Sequence, residues 1–416
     1  MEKISFIESV FSSLAGAGPL VNFAILISYA YFYAGNLMFI SFVFSFFLYL
    51  FFMNTIYQLS RYRVGKGAYY LFLKENNGLK NFIYVYFIYI FFSFASLIIF
   101  LIFILIPSLL SIFNIYLYIF LFLIIISLTF LIKNNFKSSI IYISIGSFLE
   151  ILFILIFSIF LFFISKGNYS TLFLKFKIGG IFVGSLFSVL VFAGIGSPIS
   201  FGDKIENPFK NVKKSIFVSS LMEGVVFILA SLSISYYLAI NQLSLTNMEI
   251  PVFTITYRFH YFLIFFIILL INSFFSILVI YGISLTRTLH KVYENTISYD
   301  KSVYFSFIII TILILFFLYL MGPLNSFLLA TSIATFNWII FHDALNVALI
   351  KRFYEERKGL IKNFLFPLFA IIFSFLIFYF IFISLTFPFY LAPLSTVLFF
   401  LIYFILKIFP KNIKNY

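Results

Sequence analysis

Apolar residues recur along this chain in long uninterrupted runs, and short polar segments that carry most of the charge separate them. A helix of about 20 apolar residues spans the hydrocarbon core of a bilayer, which is about 30 Å thick. The pattern therefore predicts an all-α polytopic membrane protein with twelve transmembrane helices. The approximate bounds of the runs are 6–32, 37–59, 81–106, 114–132, 138–164, 178–203, 214–240, 256–289, 303–321, 325–350, 363–386 and 389–409.

The composition indicates the same class of protein. Of the 416 residues, 64% are hydrophobic and only 10% are charged, a balance that soluble domains do not show. No polar segment is long enough for a separate soluble domain, so we expect one membrane domain over 1–416. The chain contains no cysteine, which excludes disulfides and thiolate metal sites. No metal or cofactor is expected, because the three histidines fall in different runs without metal-site spacing: His260, His290 and His342.

The net charge of +14 follows the predicted topology. With a cytoplasmic N-terminus, 23 of the 27 lysines and arginines fall in cytoplasmic segments. The outer side keeps four, which are Lys166, Lys175, Lys177 and Arg258. Such asymmetry is the positive-inside rule, so both termini are predicted to be cytoplasmic in the cell membrane. The basic charge then requires no nucleic-acid partner, and we expect membrane lipid to surround the protein.

Two of the apolar runs are interrupted by glycine and proline. The first contains Gly16-Ala17-Gly18-Pro19, and the sixth contains Gly194-Ile195-Gly196-Ser197-Pro198. In a helix interior, glycine costs about 1 kcal/mol and proline about 3 kcal/mol relative to alanine. Hydrocarbon tolerates such a break only where it faces protein or a polar cavity. Two breaks at matching places in two halves predict an inverted-repeat transporter, and the alternative is that small residues merely allow close helix packing.

The chemistry of a broken helix suits an amino acid, whose carboxylate and ammonium lie about 3 Å apart. N–H groups at the start of one half-helix attract the carboxylate, and free carbonyls at the end of another attract the ammonium. We expect the substrate carboxylate to be bound by the first break, at Ala15, Gly16, Ala17 and Gly18. We expect the ammonium to be bound by the second break, at Phe192, Ala193, Gly194 and Ile195, with Gly196 beside them. Phe192 is either a lid over the substrate or a packing residue.

Polar residues inside other runs are candidates for ion coupling. Asn272, Ser273 and Ser276 either ligate Na⁺, contact the substrate, or form hydrogen bonds between helices. Glu150 stands in an otherwise apolar run, where it either carries a coupled proton or lies on a polar helix interface. The coupling ion, H⁺ or Na⁺, stays open. Glu223 is interpreted as an interfacial residue just inside its run.

Two polar connections carry further expectations. The apolar residues in 68–73 predict a short amphipathic helix at the inner membrane interface. The segment 203–211 is predicted to be a conformational hinge. In it, Asp203 and Glu206 would form weak exposed ion pairs with neighbouring lysines.

Several of these motifs resemble those of the amino acid–polyamine–organocation superfamily of permeases. The sixth run and its exit carry the main likeness: Phe192-Ala193-Gly194-Ile195-Gly196, then Glu206-Asn207-Pro208-Phe209-Lys210-Asn211. Further motifs are similar at the first break and at Gly65-Lys66-Gly67-Ala68-Tyr69 and Thr286-Arg287. Two positions depart from the family pattern, because Gly196 replaces a glutamate and Lys66 replaces a glycine.

The resemblance implies a leucine-transporter-like fold of two inverted five-helix repeats, at about 6–165 and 178–350, with two helices appended at about 363–409. It also implies transport of an amino acid or related amine, usually with H⁺ or Na⁺. We therefore predict a secondary active transporter with a small-molecule substrate, and not an enzyme. Two alternatives stay open. One is a membrane-embedded lipid-modifying enzyme, although the acidic residues are scattered, and the other is a transport-inactive sensor with the same fold.

Overall fold

The computed structural model describes residues 3–76, 78–107, 115–134, 136–167, 172, 178–241, 251–383 and 391–408. Within these ranges the chain is helical, apart from turns, short connections and one parallel bridge that pairs Ile4 with Ile205. The predicted all-α class is therefore confirmed. Lys175 and Lys177, which the charge pattern assigns to the outer side, lie outside the described residues.

The first half of the chain contains helices that follow the apolar runs closely. They are α1 (Phe6–Ala17), α2 (Pro19–Ala34), α3 (Met38–Leu59), α4 (Ala68–Glu75), α5 (Ile83–Ile99), α6 (Ile115–Asn134) and α7 (Phe136–Ile164). A π-helical stretch, Phe100–Leu105, continues α5. The predicted amphipathic helix is α4, whose residues Ala68 and Tyr69 are buried while its last residues face outward.

The second half continues in the same manner. Its helices are α8 (Ile178–Leu190), α9 (Pro208–Ile240), α10 (Pro251–Arg258), α11 (His260–Val292), α12 (Tyr299–Glu356), α13 (Phe366–Ile383) and α14 (Leu391–Ile408). A 3-10 segment, Ser197–Lys204, leads from α8 to α9. The eighth apolar run, predicted as a single helix from about 256, instead divides at Phe259, whose backbone is not helical.

Eight segments of the described chain are long and apolar enough to cross a membrane. Two of them exceed a single crossing: Phe6–Leu59 has 54 residues and Tyr299–Glu356 has 58, whereas about 20 residues suffice. Within α12, Gly322 leaves the helical conformation with a φ of 70°, just before Pro323. This interruption falls at the boundary between the ninth and tenth apolar runs.

Large apolar side chains on the outside of the bundle indicate a lipid environment. Ile126 on α6, Phe163 on α7 and Ile308 on α12 are each more than half exposed. Exposed apolar patches of this extent are unfavourable in water and ordinary in hydrocarbon. The helices that carry the two breaks lie inside the bundle, where α1 packs against α7, α9 and α11, and α2 packs against α8.

Candidate functional site

The first break is a single-residue corner between α1 and α2. Gly18 adopts a left-handed conformation, with φ 69° and ψ 67°, and its N–H donates to the carbonyl of Leu14. Glycine reaches this region at little cost, which explains why it ends α1. Pro19 then occupies the first position of α2, where its missing N–H removes no helical hydrogen bond. The predicted interruption is therefore a defined corner.

The second break is longer. After Leu190 the chain forms turns over 191–196, with Gly194 at a φ of 93°, and then the 3-10 segment that contains Pro198. At the exit, Asn207 takes a left-handed conformation (φ 43°) and Pro208 begins α9. Asparagine tolerates this conformation better than most residues, and proline suits the first turn of a helix.

The structure brings the two breaks together. A methyl group added at Gly194 would collide with the carbonyl of Gly16, and one added at Gly16 would lie 2.6 Å from the carbonyl of Gly194. The hydroxyl of Ser13 donates to the carbonyl of Ile195 at 2.5 Å. The backbones of the two breaks are thus in direct contact, which glycine at both positions makes sterically feasible.

Asn22, in the first turn of α2, ties the breaks together and was not singled out from the sequence. Its amide Nδ2 donates to the carbonyl of Ala17 at 2.7 Å and to that of Val191 at 3.2 Å. One side chain therefore satisfies a freed carbonyl from each broken helix. The signal in the sequence was the presence of a carboxamide inside the first apolar run.

The start of α2 is already occupied by side chains of the protein. The N–H of Leu20 donates to Oε2 of Glu150 at 3.3 Å, and the N–H of Val21 donates to the hydroxyl of Ser273 at 3.3 Å. These two N–H groups are engaged by the protein in this structure, and binding of a substrate carboxylate at the first break stays a prediction. Glu150, fully buried on α7, takes that position at the positive end of the helix dipole.

Two of the three polar residues of α11 hold this carboxylate. Asn272 Nδ2 donates to Oε1 of Glu150 at 3.0 Å, and the Ser273 hydroxyl donates to Oε2 at 2.7 Å. Ser276 is also buried, and its hydroxyl has no hydrogen-bond partner among the described residues. Asn272 therefore serves a contact between helices in this structure, and Ser276 keeps the capacity to bind a ligand.

A small cavity of about 30 Å³ lies beside the second break. The ring of Phe192 stacks on that of Tyr49 with centroids 4.6 Å apart, and the hydroxyl of Tyr69 donates to the carbonyl of Gly196 at 3.1 Å. Aromatic rings and hydroxyls dominate the lining, which consists of Tyr49, Tyr69, Tyr86, Tyr89, Ile90, Phe192, Gly194, Gly196, Ser197, Tyr281, Ser284, Trp338, Phe341 and His342.

A second small cavity of about 40 Å³ lies beside α2 and the end of α8. Asn22, Ser96 and Thr331 contribute its polar groups, and Ile25 and Phe327 belong to its apolar lining. Tyr281 lines both cavities, and its hydroxyl is 3.1 Å from that of Tyr89. The two cavities therefore meet at one tyrosine pair next to the junction of the breaks.

Phe192 lines the first cavity with its ring, so both predicted roles, lid and packing, are compatible with its place. Gly194 and Gly196 line the same cavity, whereas Ala193 and Ile195 are buried beside it. Ala15, Gly16 and Ala17 are buried at the junction itself. The predicted site residues thus converge, although the first break contributes backbone contacts with the second rather than an open surface.

A buried arginine forms an ion pair and a hydrogen bond with the end of the second break. Arg287 of α11 pairs with Asp203 at 2.5 Å, and its Nε donates to the carbonyl of Ser200 at 3.0 Å. The guanidinium side chain is only 7% exposed, whereas Asp203 is 39% exposed. The sequence placed Asp203 among lysines, and the structure assigns it a partner outside that cluster. The loop is also paired with Ile4 near the N-terminus.

No protein-family model matches this chain, and no curated protein matches it. Among solved structures, the chain is similar to the Eremococcus coleocola manganese transporter in complex with an aromatic bis-isothiourea substituted compound. The TM-score is 0.57 and the identity 12%, over 94% of this chain and 91% of that one. It is also similar to Mhp1, a nucleobase-cation-symport-1 family transporter in a closed conformation with bromovinylhydantoin bound. There the TM-score is 0.48 and the identity 12%, over 90% and 91% of the two chains.

The likeness to the manganese transporter shows the fold of this chain, which is that of an all-helical membrane transporter over nearly its whole length. The predicted all-helical membrane fold is confirmed at this level. The five-plus-five repeat and the permease superfamily stay predictions.

Proposed function

We propose that this protein is a secondary active transporter that moves amino acids or related small amines across the cytoplasmic membrane by alternating access. The junction of the two broken helices, with a cavity on either side, carries the proposal. Broken helices at mid-membrane are the places where transporters hold substrates and coupling ions. A fold shared with a transporter supports the same function.

The lining of the cavities favours a small zwitterion or amine. The first cavity is lined mainly by aromatic side chains, and aromatic rings attract an ammonium group through the cation–π interaction. The hydroxyls of Ser197 in the first cavity and Thr331 in the second suit a carboxylate or other polar substituent. A substrate with both groups would satisfy hydroxyls that have no hydrogen-bond partner among the described residues.

We place the substrate at the second break, between the aromatic lining and the tyrosine pair. Gly194 and Gly196 let it approach the backbone, and Tyr281 faces both cavities. A route through the protein then runs from one cavity to the other across the Tyr89–Tyr281 contact. Alternating access requires that this contact and the Arg287–Asp203 pair open at different times.

We infer twelve crossings of the membrane, with both termini cytoplasmic. Two of the eight long apolar segments are long enough to cross twice, and α8 with its 3-10 extension and α14 account for the others. The charge asymmetry orients the bundle, since 23 of 27 lysines and arginines then face the cytoplasm. A reporter fused after the last helix tests this topology, and an external C-terminus would contradict it.

Counterflow in proteoliposomes tests the function directly. Vesicles that contain the purified protein and an excess of unlabelled amino acids should take up the matching radiolabelled amino acid, whereas protein-free vesicles should not. Ligand binding without counterflow would favour the transport-inactive sensor instead. Absence of both binding and counterflow for all twenty amino acids and common amines would overturn the proposal.

A further inference from the structure

Two carboxyl groups, those of Glu150 and Glu223, are fully buried in the bundle. They differ in whether hydrogen-bond donors surround them. Glu150 accepts hydrogen bonds from Leu20, Asn272 and Ser273. Both carboxyl oxygens of Glu223, which is 0% exposed, have no hydrogen-bond partner among the described residues. An isolated carboxylate ion without donors is very costly in a low-dielectric interior. Glu150 can therefore be ionised in this state, and Glu223 cannot.

Glu223 is fully buried, whereas the sequence suggested a position at the membrane interface. On the same face of α9, Ser215 bonds to Ser9 at 2.9 Å and Ser219 bonds to the carbonyl of Val10 at 3.0 Å. Glu223 follows Ser219 by one helical turn, about 6 Å further along. This register places it beside the last turns of α1, where the first break begins.

Tyr49 connects Glu223 to the first cavity. Tyr49 is fully buried within electrostatic range of Glu223. Its ring stacks on Phe192 of the second break and lines the cavity. A change of charge at Glu223 is therefore transmitted to a residue that contacts the proposed substrate.

The other titratable groups around Glu223 favour its neutral form. Glu150 of α7 lies within electrostatic range, and its negative charge opposes a second one. Tyr49 of α3 is the other group in direct electrostatic contact. The remaining titratable groups on the elements packed against α9, and on α9 itself, are Glu8, Tyr29, Tyr31, Tyr33, Tyr57, Lys137, Tyr142, Asp203, Lys204, Lys210, Lys213, Lys214, Tyr236 and Tyr237.

We propose that Glu223 is the proton-carrying residue of this protein, and that it couples proton movement to opening of the junction between the two breaks. This inference rests on the proposed transport function and names its coupling ion. Glu223 takes a proton from water on the outer side, which forms an O–H bond and neutralises the carboxylate. After the junction opens toward the cytoplasm, water hydrates the group and accepts the proton there. One proton then crosses with each substrate, and Glu150 keeps its structural role at the start of α2.

Transport measurements on Glu223→Gln test the coupling, because glutamine imitates the neutral acid without a removable proton. In wild-type proteoliposomes, an inward gradient of about one pH unit should give about tenfold substrate accumulation, if one proton accompanies each substrate. In Glu223→Gln, gradient-driven accumulation should disappear, while counterflow stays within about threefold of wild type. Glu355→Gln, an exposed acid at the end of α12, is the matched control and should accumulate substrate like wild type.

Glu150→Gln distinguishes the roles of the two buried acids. It weakens the hydrogen bonds at the start of α2, so its melting temperature should fall, and the transport that survives should still follow the pH gradient. Accumulation that follows the pH gradient in Glu223→Gln, or that requires a Na⁺ gradient in wild type, would overturn the proposal.

Infrared spectroscopy of the purified protein gives a readout that does not depend on transport. The carbonyl band of protonated carboxylic acids should lose, in Glu223→Gln, one component that is present in wild type at neutral pH. An unchanged band would overturn the assignment of the proton to Glu223. If wild type shows no counterflow but the band changes in the variant, the proposed transport function is wrong. The assignment of the proton to Glu223 is then still supported.

Discussion

The two breaks differ in how their polar backbone groups are satisfied. At the first, a single left-handed residue, Gly18, turns the chain, and Glu150 and Ser273 accept hydrogen bonds from the N–H groups that follow. At the second, the chain is not α-helical over 191–204, and side chains from distant elements, Ser13 and Tyr69, reach its carbonyls. The first break is a fixed corner whose freed N–H groups are satisfied by side chains of the protein itself. The second is an open segment, where a ligand can replace contacts that other helices now make.

The largest expected effect comes from adding a single methyl group at each break, because the two breaks should respond differently to it. Gly194→Ala would drive a Cβ into the Gly16 carbonyl and requires a left-handed φ of 93°. We expect counterflow to fall by at least about 100-fold, equivalent to about 2.7 kcal/mol. Gly18→Ala also has a strained φ, but the nearest atoms to its Cβ belong to the side chain of Ile277, with Cδ1 at 3.0 Å and Cβ at 3.2 Å. It should lose about 1–2 kcal/mol of stability and keep ligand binding.

Ligand-induced thermal shift and melting temperature, measured on the same samples, separate these outcomes. Gly179→Ala is the matched control, because an added methyl group there meets nothing within 4 Å. Normal ligand stabilisation in Gly194→Ala would show that this glycine only permits helix packing. Loss of binding in Gly18→Ala at unchanged melting temperature would show that the first break is the principal binding surface.

The existence of both breaks was predictable because glycine and proline act locally, through backbone torsions and the missing proline N–H. The helices follow the apolar runs for the same reason, since each span must satisfy its own backbone in hydrocarbon. The partners at the breaks were not predictable. Glu150 and Ser273 reach α2 from positions 130 and 252 residues away from their hydrogen-bond partners, and only tertiary packing determines such pairs.

The role of Glu223 illustrates the same limit. Its place just inside the seventh apolar run suggested an interfacial position, whereas burial depends on which face of α9 meets α1. Serines at 215 and 219 mark that face, and their spacing of four residues is visible in the sequence. A stripe of small polar residues leading to an acid was therefore a usable signal, although one sequence does not reveal what the stripe contacts.

The second-largest effect concerns the side chain that joins the two breaks. Asn22→Ala removes the donors to Ala17 and Val191 and leaves both carbonyls short of a partner. Such bonds contribute about 0.5–1.5 kcal/mol each, so ligand affinity should fall about 10–30-fold. Ser28→Ala is the control, because that hydroxyl bonds only to the carbonyl of Ala24 on the same helix. Unchanged affinity in Asn22→Ala would show that the breaks are held together by glycine packing alone.

A smaller effect is expected where the second break ends. Asp203→Asn removes the charge that pairs with Arg287 and should loosen the 3-10 segment without touching the cavity. Since the chain has no cysteine, a single Ser284→Cys variant reports access to the first cavity. We expect a membrane-impermeant maleimide, added from the cytoplasmic side, to label it about tenfold faster in the Asp203→Asn background, equivalent to about 1.4 kcal/mol.

Asp300→Asn is the matched control for that experiment, because Asp300 forms an ion pair with Lys133 at 3.2 Å, away from the break. It should leave the labelling rate unchanged. Equal labelling in all three backgrounds would show that the Arg287–Asp203 pair does not close the cavity. The comparison of the breaks would then rest on the junction alone.

The smallest effect tests whether the second break is held mainly by side chains from outside or by its own turns. Tyr69→Phe removes the hydroxyl that donates to the carbonyl of Gly196 at 3.1 Å. That carbonyl also accepts the N–H of Ile199 at 3.1 Å, so it does not lose its last partner. One neutral hydrogen bond contributes about 1 kcal/mol, and we therefore expect affinity or turnover to change about fivefold.

Tyr319→Phe is the control, because Tyr319 is 88% exposed on α12, and it should behave like wild type in the same counterflow assay. A change of 100-fold or more in Tyr69→Phe would mean that α4 controls the break, and that the second break is as firmly fixed as the first.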